Sequence, residues 1–168
     1  MKNRIGFGYD VHRLEKGHDL WLGGVRILSE KGAVGHSDAD VLIHAICDAL
    51  LGAAALGDIG HHFPDTSPEF KGISSLVLLQ KVANLLNEKG YSIGNVDSTV
   101  CLERPKIGTY VAEMKIILSK SLKISEEDIS IKATTKEGLG FVGNLEGIEA
   151  WAVVMILGSR QQADKKGD

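Results

Sequence analysis

Apolar and polar residues alternate with a period of two along several stretches of the chain, which predicts β-strands. In the first stretch, residues 4–12, the apolar side chains fall on one face and glycines, Asp10 and His12 on the other. Two other stretches are rich in β-branched residues, which favour strands. The further predicted strands are residues 20–22 and 25–28, which flank the hairpin signal Gly23-Gly24, and residues 91–103, 129–134 and 148–157.

Three other stretches carry apolar residues at helical spacing. Ser37 is the predicted N-cap of a long helix that runs to Gly57. Two shorter helices are predicted at residues 76–89 and 110–123. Strands and helices alternate irregularly, which predicts an α+β fold rather than a doubly wound one. We expect a single domain over residues 1–158, with three main helices packed on one face of a mixed β-sheet, and a disordered tail over residues 159–168.

Composition limits the classes of protein that fit. The chain has 168 residues, 43% of them apolar, which is enough for one core, and its net charge of −3 is not that of a nucleic-acid-binding protein. No apolar stretch approaches the length of about 20 residues that spans a bilayer. Cys47 and Cys101 are expected to be small buried residues. No targeting segment is visible, so we expect a cytoplasmic protein without membrane or nucleic-acid partners.

Three residues form a candidate zinc site. Asp10 and His12 lie two apart in a predicted strand, so their side chains leave the same face. His44 belongs to a polar stripe with Asp40 and Asp48 along an otherwise apolar helix, where buried polar groups need partners. One carboxylate and two imidazoles suit zinc and leave a fourth position open for substrate. The alternative interpretation is an ordinary polar strand face, with a helix-terminal aspartate and a hydrogen-bonded core histidine.

Other segments point to a phosphorylated ligand. His36 and Ser37 lie at the predicted start of the first helix, where free N–H groups favour phosphate. Residues 57–65, 104–108 and 132–137 are loops with carboxylates, hydroxyls and glycines, although each is also consistent with an ordinary turn. Because these segments hold mainly carboxylates, a phosphate-rich ligand would require divalent cations such as Mg²⁺, which carboxylates such as Glu137 bind.

Seven motifs in order resemble one known family. They are G-F-G-Y-D-V-H, G-H-S-D-A-D-V-L-x-H, D-A-L-L-G-A-A-A-L-G-D-I-G, F-P-D-T, G-N-V-D, P-K and K-A-T-T-K-E-x-L-G-F. The chain resembles the 2-C-methyl-D-erythritol 2,4-cyclodiphosphate synthase family of the non-mevalonate isoprenoid pathway over residues 4–157. The resemblance implies that a cytidine diphosphate-linked methylerythritol 2-phosphate closes into a cyclic diphosphate and releases CMP, in a homotrimer with active sites between subunits.

The resemblance also implies residue roles. Asp10, His12 and His44 match the zinc ligands, and Glu137 matches a residue that helps hold a second cation, Mg²⁺ or Mn²⁺. His36 and Thr135 match the proposed transition-state stabilisers. The implied substrate contacts are Asp10, His12, His36, Ser37, Asp58, Ile59, Gly60, Phe63, Pro64, Asp65, Thr66, Ser67, Leu102, Pro105, Lys106, Ile107, Gly108, Ala133, Thr134, Thr135, Glu137, Phe141 and Asn144.

Departures from the family pattern and two rival functions complete the sequence picture. Asn144 stands where many members have Arg, and Tyr9 and Trp151 stand at positions that in some members line a central cavity.

One rival function is that of a zinc phosphoesterase that uses water as nucleophile, with Asp40 or Asp58 as base. The other is a non-catalytic protein in which zinc joins a strand to a helix, completed by a ligand such as His18, His61 or His62.

Overall fold

The computed structural model describes residues 2–158, so the predicted tail lies outside the described residues. Seven strands are present: β1 (Asn3–Lys16), β2 (Leu20–Leu22), β3 (Val25–Ile27), β4 (Lys31–Ala33), β5 (Tyr91–Cys101), β6 (Ile129–Thr134) and β7 (Gly147–Gly158). The α-helices are α1 (Val41–Ala53), α2 (Ile59–His62), α3 (Ser75–Glu88), α4 (Val111–Leu122) and α5 (Gly140–Gly143), and three short 3₁₀ turns occur at Pro68–Phe70, Gly108–Tyr110 and Glu126–Asp128.

Five strands form one mixed sheet in the order β4-β1-β7-β5-β6. β5 and β6 are parallel, and the other neighbours are antiparallel. Helices α1, α3 and α4 form the second layer, over the sheet face whose side chains are buried. This arrangement confirms the predicted single α+β domain. None of the helices within residues 2–158 has the length and apolar character needed to cross a membrane.

The hairpin signal and two of the three long helices are confirmed. β2 pairs with β3, and Gly23 and Gly24 between them have φ angles of +58° and +79°, which suit glycine. α3 and α4 begin and end within one or two residues of the predicted bounds. Cys47 and Cys101 are both buried, as predicted.

The predicted bounds and cap of the first helix are wrong. α1 begins at Val41 because Asp40 caps it: the Asp40 carboxylate accepts from the Ile43 N–H at 3.0 Å. The same carboxylate accepts from the backbone N–H groups of Gly23 at 3.0 Å and Gly24 at 2.8 Å. Ser37 lies before the helix, and the left-handed φ angle of Ala39, +55°, separates the two. The fully buried Asp40 thus joins the β2–β3 hairpin to the start of α1, which the local pattern does not reveal.

Two glycines of β1 set the distance between strand and helix. A Cβ atom on Gly6 would lie 1.8 Å from the carbonyl oxygen of Ala49, and one on Gly8 would lie 1.9 Å from that of Ala45. No side chain fits at either position, so α1 lies directly on the backbone of β1. The alternating apolar residues of β1 therefore point away from α1, and Ile5 and Phe7 remain 75% and 63% exposed in the single chain.

Candidate metal centre

β1 and α1 bring three potential metal ligands to one point. Asp10 Oδ2 lies 2.9 Å from His12 Nε2 and 3.0 Å from His44 Nδ1, and the two imidazole nitrogens are 3.1 Å apart. Ligand atoms bound to a tetrahedral zinc ion are separated by about 3.3 Å. Within residues 2–158 these side chains form the single group of three or more His, Cys, Asp or Glu with this mutual proximity, and no fourth such ligand joins them.

The outer nitrogens of both rings are already occupied. His12 Nδ1 donates to the carbonyl oxygen of Val34 at 3.0 Å. His44 Nε2 lies 2.9 Å from Ser75 Oγ, and that hydroxyl donates in turn to Asp38. A second hydroxyl, that of Ser37, lies 3.1 Å from the same nitrogen. In a metal-bound centre the protons would lie on these outer nitrogens, and both rings would turn their inner nitrogens towards the metal as lone pairs.

This arrangement fits a bound cation. Two nitrogen lone pairs and one carboxylate oxygen about 3 Å apart repel one another unless a positive charge lies between them. The donor set, one oxygen and two imidazole nitrogens, is one that zinc prefers, and it leaves a coordination position free. The residues present therefore fit the predicted zinc, with Asp10, His12 and His44 as its ligands.

Electrostatics at the centre agree with this fit. Burial acts to raise the pKa of Asp10, but hydrogen bonds from His12 and His44 and the charge of those rings outweigh it and lower the pKa to about 2. Burial acts to lower the pKa of His44, but the hydrogen bond and negative charge of Asp10 outweigh it, so that pKa is raised. In the absence of a metal, the negative charge of Asp10 thus favours the protonated form of His44. The centre therefore stabilises positive charge.

A pocket of about 430 Å³ opens beside the centre. Its lining joins His12 and His44 to residues of four other segments: Gly35, His36, Ser37, Ile59, Gly60, Phe63, Asp65, Phe70, Ile73 and Leu78. The free side of the triad therefore faces a cavity large enough for a small phosphorylated molecule. Six of the predicted substrate contacts, beyond the metal ligands, lie on this pocket.

His36 and Ser37 line the pocket, but not at a helix N-terminus. His36 Nε2 is 3.2 Å from the carbonyl oxygen of Ser67, and Ser37 Oγ accepts from the Ala39 N–H at 3.1 Å. α1 begins at Val41, and the N–H of Ile43 in its first turn is bonded to the Asp40 carboxylate. The predicted position of His36 and Ser37 at the start of the helix is therefore wrong, and these two residues line the pocket from the segment before α1.

Residues 58–67, most of which are predicted substrate contacts, form part of the pocket wall. Asp58 caps the short helix α2 by accepting from the His61 N–H at 2.8 Å. Asp48 of α1 accepts from the Ile59 N–H at 2.7 Å, which attaches the segment to the helix that carries His44. Pro64, Thr66 and Ser67 continue the same loop. The sequence predicts Asp40 and Asp48 in one polar stripe with His44. In the structure both carboxylates accept instead from backbone N–H groups outside the triad.

The two segments of the predicted CMP pocket adjoin each other. The Leu102 N–H donates to the carbonyl oxygen of Thr134 at 3.0 Å. Leu102 and Ile107 are buried, while Pro105 and Lys106 line a different cavity of about 620 Å³. Gly108 begins the 3₁₀ turn that leads into α4, and Ala133 lies near the exposed end of β6.

The predicted second-cation residue lies apart from the triad pocket within one chain. Thr135 Oγ1 donates to Glu137 Oε1 at 2.9 Å, so the predicted stabilising hydroxyl and the predicted cation ligand form a pair. Neither lines the pocket beside the triad in the part of the chain that the structure describes. Phe141 lines a separate cavity of about 390 Å³ with Val11, His12 and Arg13, and Asn144 is the C-cap of α5.

Sequence reasoning missed the residues that orient the imidazoles. Ser75 is fully buried and lies 31 residues from His44, and Asp38 holds it through both its hydroxyl and its backbone N–H, the latter at 2.9 Å. Val34 acts through a backbone carbonyl, which carries no side-chain signature. No short-range spacing links these residues to the metal ligands, so only the fold reveals them.

The fold and the site define a single-domain α+β protein with three residues that could hold a metal ion beside a pocket. Residues 3–157 match the family model of the YgbB family. The chain belongs to that family.

Named relatives agree with this assignment. The 2-C-methyl-D-erythritol 2,4-cyclodiphosphate synthase of Phocaeicola vulgatus is 57% identical over 156 residues, which cover 93% of this chain and 98% of the relative. A solved 2C-methyl-D-erythritol-2,4-cyclodiphosphate synthase in a CDP-bound form has a TM-score of 0.85 and 39% identity, with coverage of 92% and 100%. An IspF–CDP complex from Plasmodium falciparum has a TM-score of 0.82 and 35% identity, with coverage of 94% and 97%.

Proposed function

We propose that the chain catalyses the reaction of the synthases it resembles. The substrate is 4-diphosphocytidyl-2-C-methyl-D-erythritol 2-phosphate. An oxygen of its 2-phosphate attacks the β-phosphorus, one P–O bond forms, and the P–O bond to CMP breaks, so the products are the cyclic diphosphate and CMP. The observation that carries the proposal is the metal triad on the pocket, in a chain 57% identical to a named synthase.

In this reaction the nucleophile belongs to the substrate, so the protein mainly positions and neutralises charge. Bound zinc would supply Lewis-acid polarisation of the phosphate under attack. Asp10, His12 and His44 hold that charge at the pocket wall. His36 directs its ring into the same pocket, where it is placed to donate to a phosphate oxygen as negative charge develops.

The remaining predicted roles concern the diphosphate and the nucleotide. Thr135 donates to phosphate oxygens, and Glu137 helps hold a second divalent cation, Mg²⁺ or Mn²⁺, between the two phosphates. The adjoining segments 102–108 and 133–135 bind CMP, and the 58–67 segment with Phe141 and Asn144 contacts the rest of the substrate. CDP-bound neighbours of known structure support a nucleotide site on this fold.

We further propose that the active enzyme is a homotrimer with its sites between subunits. Two features support this assembly. The outer face of the sheet carries a row of exposed apolar side chains, Ile5, Phe7, Tyr9, Val11 and Val153. Such a row is characteristic of an interface with another subunit. The Thr135–Glu137 pair also lies off the triad pocket of its own chain, which is expected if it completes a site on a neighbouring chain.

Incubation with the cytidylated substrate tests the function. Zinc- and Mg²⁺-loaded protein is expected to release CMP and the cyclic diphosphate in equal amounts, detected by ³¹P NMR. In H₂¹⁸O the products of cyclisation contain no ¹⁸O, because water takes no part. A linear phosphate product that contains ¹⁸O would identify a phosphoesterase instead.

Replacement of one ligand separates catalysis from a structural role for zinc. His44→Ala is expected to lose zinc and activity while it keeps the circular dichroism spectrum and cooperative unfolding of the parent, because none of the three ligands belongs to the hydrophobic core. A structural zinc would require that removal of the metal unfolds the chain. The absence of a fourth ligand in residues 2–158 supports the catalytic alternative.

A further inference from the structure

A buried carboxylate lies on the outer face of the sheet, away from the metal centre. Glu149, in the middle of β7, is 6% exposed. The hydroxyl of Tyr9 donates to its Oε1 at 2.9 Å. Its Oε2 is 3.2 Å from Lys136 Nζ, and in the described part of the chain no well-aligned hydrogen bond reaches that oxygen. A buried carboxylate requires a compensating charge, and Lys136 is the cation that supplies it.

Lys136 is the residue between Thr135 and Glu137, and it is held at both ends. Its ammonium lies 5.4 Å from the ring centre of Trp151 in addition to its contact with Glu149. Its backbone N–H donates to Glu103 Oε2 at 3.2 Å. Residues 135–137 are thereby attached to β7 through the Lys136 side chain and to the segment that follows β5 through the Lys136 main chain.

The two neighbours of Lys136 depend on this attachment. Glu137 has a φ angle of +52°, a left-handed conformation that non-glycine residues adopt at a cost and keep only when their surroundings hold them. The hydroxyl of Thr135 donates to the Glu137 carboxylate at 2.9 Å and accepts from the Glu137 N–H at 3.3 Å. Rotation of Lys136 would therefore move both groups together.

We propose that Glu149 is a positioning residue which, through Lys136, holds the Thr135 hydroxyl and the Glu137 carboxylate in the orientation that binds a divalent cation against a diphosphate. Glu149 itself touches neither the cation nor the substrate. The inference rests on the proposed function, because it assumes that Thr135 and Glu137 act on a diphosphate.

Binding of Mn²⁺ tests the positioning role without reference to turnover. Zinc-loaded protein is titrated with Mn²⁺ in the presence of CDP, and free Mn²⁺ is followed by electron paramagnetic resonance. Glu149→Gln keeps the shape and the hydrogen bond to Tyr9 but removes the charge, and we expect it to weaken Mn²⁺ binding by about 10-fold, as loss of outer partners does at metal sites. Lys136→Met should have the same effect, and Lys136→Arg should retain most of the affinity.

The double variant and a matched control sharpen the test. Because Glu149 acts through Lys136, the double variant should bind Mn²⁺ no more weakly than either single variant. Asp97→Asn breaks an exposed ion pair of the same charge type, Lys132 Nζ to Asp97 Oδ2 at 2.7 Å, on the neighbouring strands. It should leave Mn²⁺ binding unchanged. Zinc content and oligomeric state should stay constant throughout.

Two outcomes would overturn the proposal. One is unchanged Mn²⁺ affinity in Lys136→Met, measured on variant protein whose circular dichroism spectrum and cooperative unfolding show that it is folded. The other is equal weakening in Lys136→Met and Lys136→Arg, because that would mean the ion pair is not what matters. A parent enzyme that binds Mn²⁺ and CDP but makes no cyclic diphosphate would contradict the proposed function and leave this measurement intact.

Discussion

The backbone carbonyl of Ala45 occupies the space where a side chain on Gly8 would begin, 1.9 Å from the position of its Cβ atom. This contact lies two residues from Asp10 along β1 and one residue from His44 along α1. The distance at which the helix crosses the strand therefore sets the distance between Asp10 Oδ2 and His44 Nδ1, which is 3.0 Å. Helix–strand packing and metal binding depend on the same glycine.

Gly8→Ala is expected to weaken both the helix–strand packing and zinc binding. The helix must move away from the strand, at a cost of about 1–3 kcal/mol or more in the free energy of unfolding. The displacement separates His44 from Asp10, so zinc affinity should fall as well. Urea denaturation and zinc content after dialysis measure the two effects.

A matched control lies on the same helix. Gly52 has open space around its Cβ position, with the nearest atom 4.0 Å away. Gly52→Ala should leave zinc binding unchanged and stabilise the fold by about 0.5–1 kcal/mol through helix propensity. Retention of zinc in Gly8→Ala would contradict the coupling between packing and the metal centre.

Short-range patterns were sufficient for much of the fold and for the three metal ligands. Asp10 and His12 are two apart in a strand, and His44 interrupts the apolar residues of a helix, so both signals are local. The meeting of this strand and this helix was a hypothesis. The close packing of α1 on the backbone of β1 at Gly6 and Gly8 now explains it. Six of the seven strands within residues 2–158, the hairpin and two helices followed from periodicity and glycine positions, whereas β4, of three residues, was not predicted.

The cap of α1 and the partners of the imidazoles could not be predicted in this way. Asp40 outcompetes Ser37 as cap because it also satisfies the N–H groups of Gly23 and Gly24, which are 17 and 16 residues away. Ser75 reaches His44 only because α3 packs beside α1. These choices depend on tertiary contacts, which one sequence does not encode in its spacing.

Ser75→Ala should weaken zinc binding by about 10-fold, because it removes the nearer of the two hydroxyls at His44 Nε2, which Asp38 orients to accept the proton there and leave Nδ1 free for the metal. Competition with a zinc-binding dye measures the affinity. Ser119→Ala is the matched control, since Ser119 is also buried and bonded, to the carbonyl oxygen of Ile116 at 2.9 Å, on a different helix. Equal zinc affinity in the two variants would rule out the orienting role of Ser75.

Asp40→Asn should destabilise the fold by about 2–3 kcal/mol, because an amide has one acceptor oxygen and its N–H₂ group would face a buried N–H donor. The amide proton of Gly24 is expected to exchange faster, since the one remaining oxygen stays with Gly23 and Ile43, which share Oδ1, and the N–H₂ group replaces the acceptor of Gly24. Hydrogen exchange followed by NMR, together with urea denaturation, provides the measurement. Asp19→Asn, at an exposed aspartate of the adjoining turn, should change neither quantity; a stable Asp40→Asn variant with slow exchange would contradict the proposed link between hairpin and helix.

Phe7→Asp separates the subunit interface from the metal centre. Phe7 is 63% exposed on the outer face of β1, so a charge there costs the single chain little, but it would be buried between subunits in a trimer. Light scattering should show the parent at three times the 18.1 kDa chain mass and the variant at one chain mass. Zinc content should persist, because all three ligands come from one chain, whereas synthase activity should be lost with the shared sites.

The control variant Val77→Asp, at an exposed apolar position on α3, should remain trimeric and active. A parent that is monomeric and active would refute sites shared between subunits, and loss of zinc from Phe7→Asp would mean that the centre itself depends on assembly.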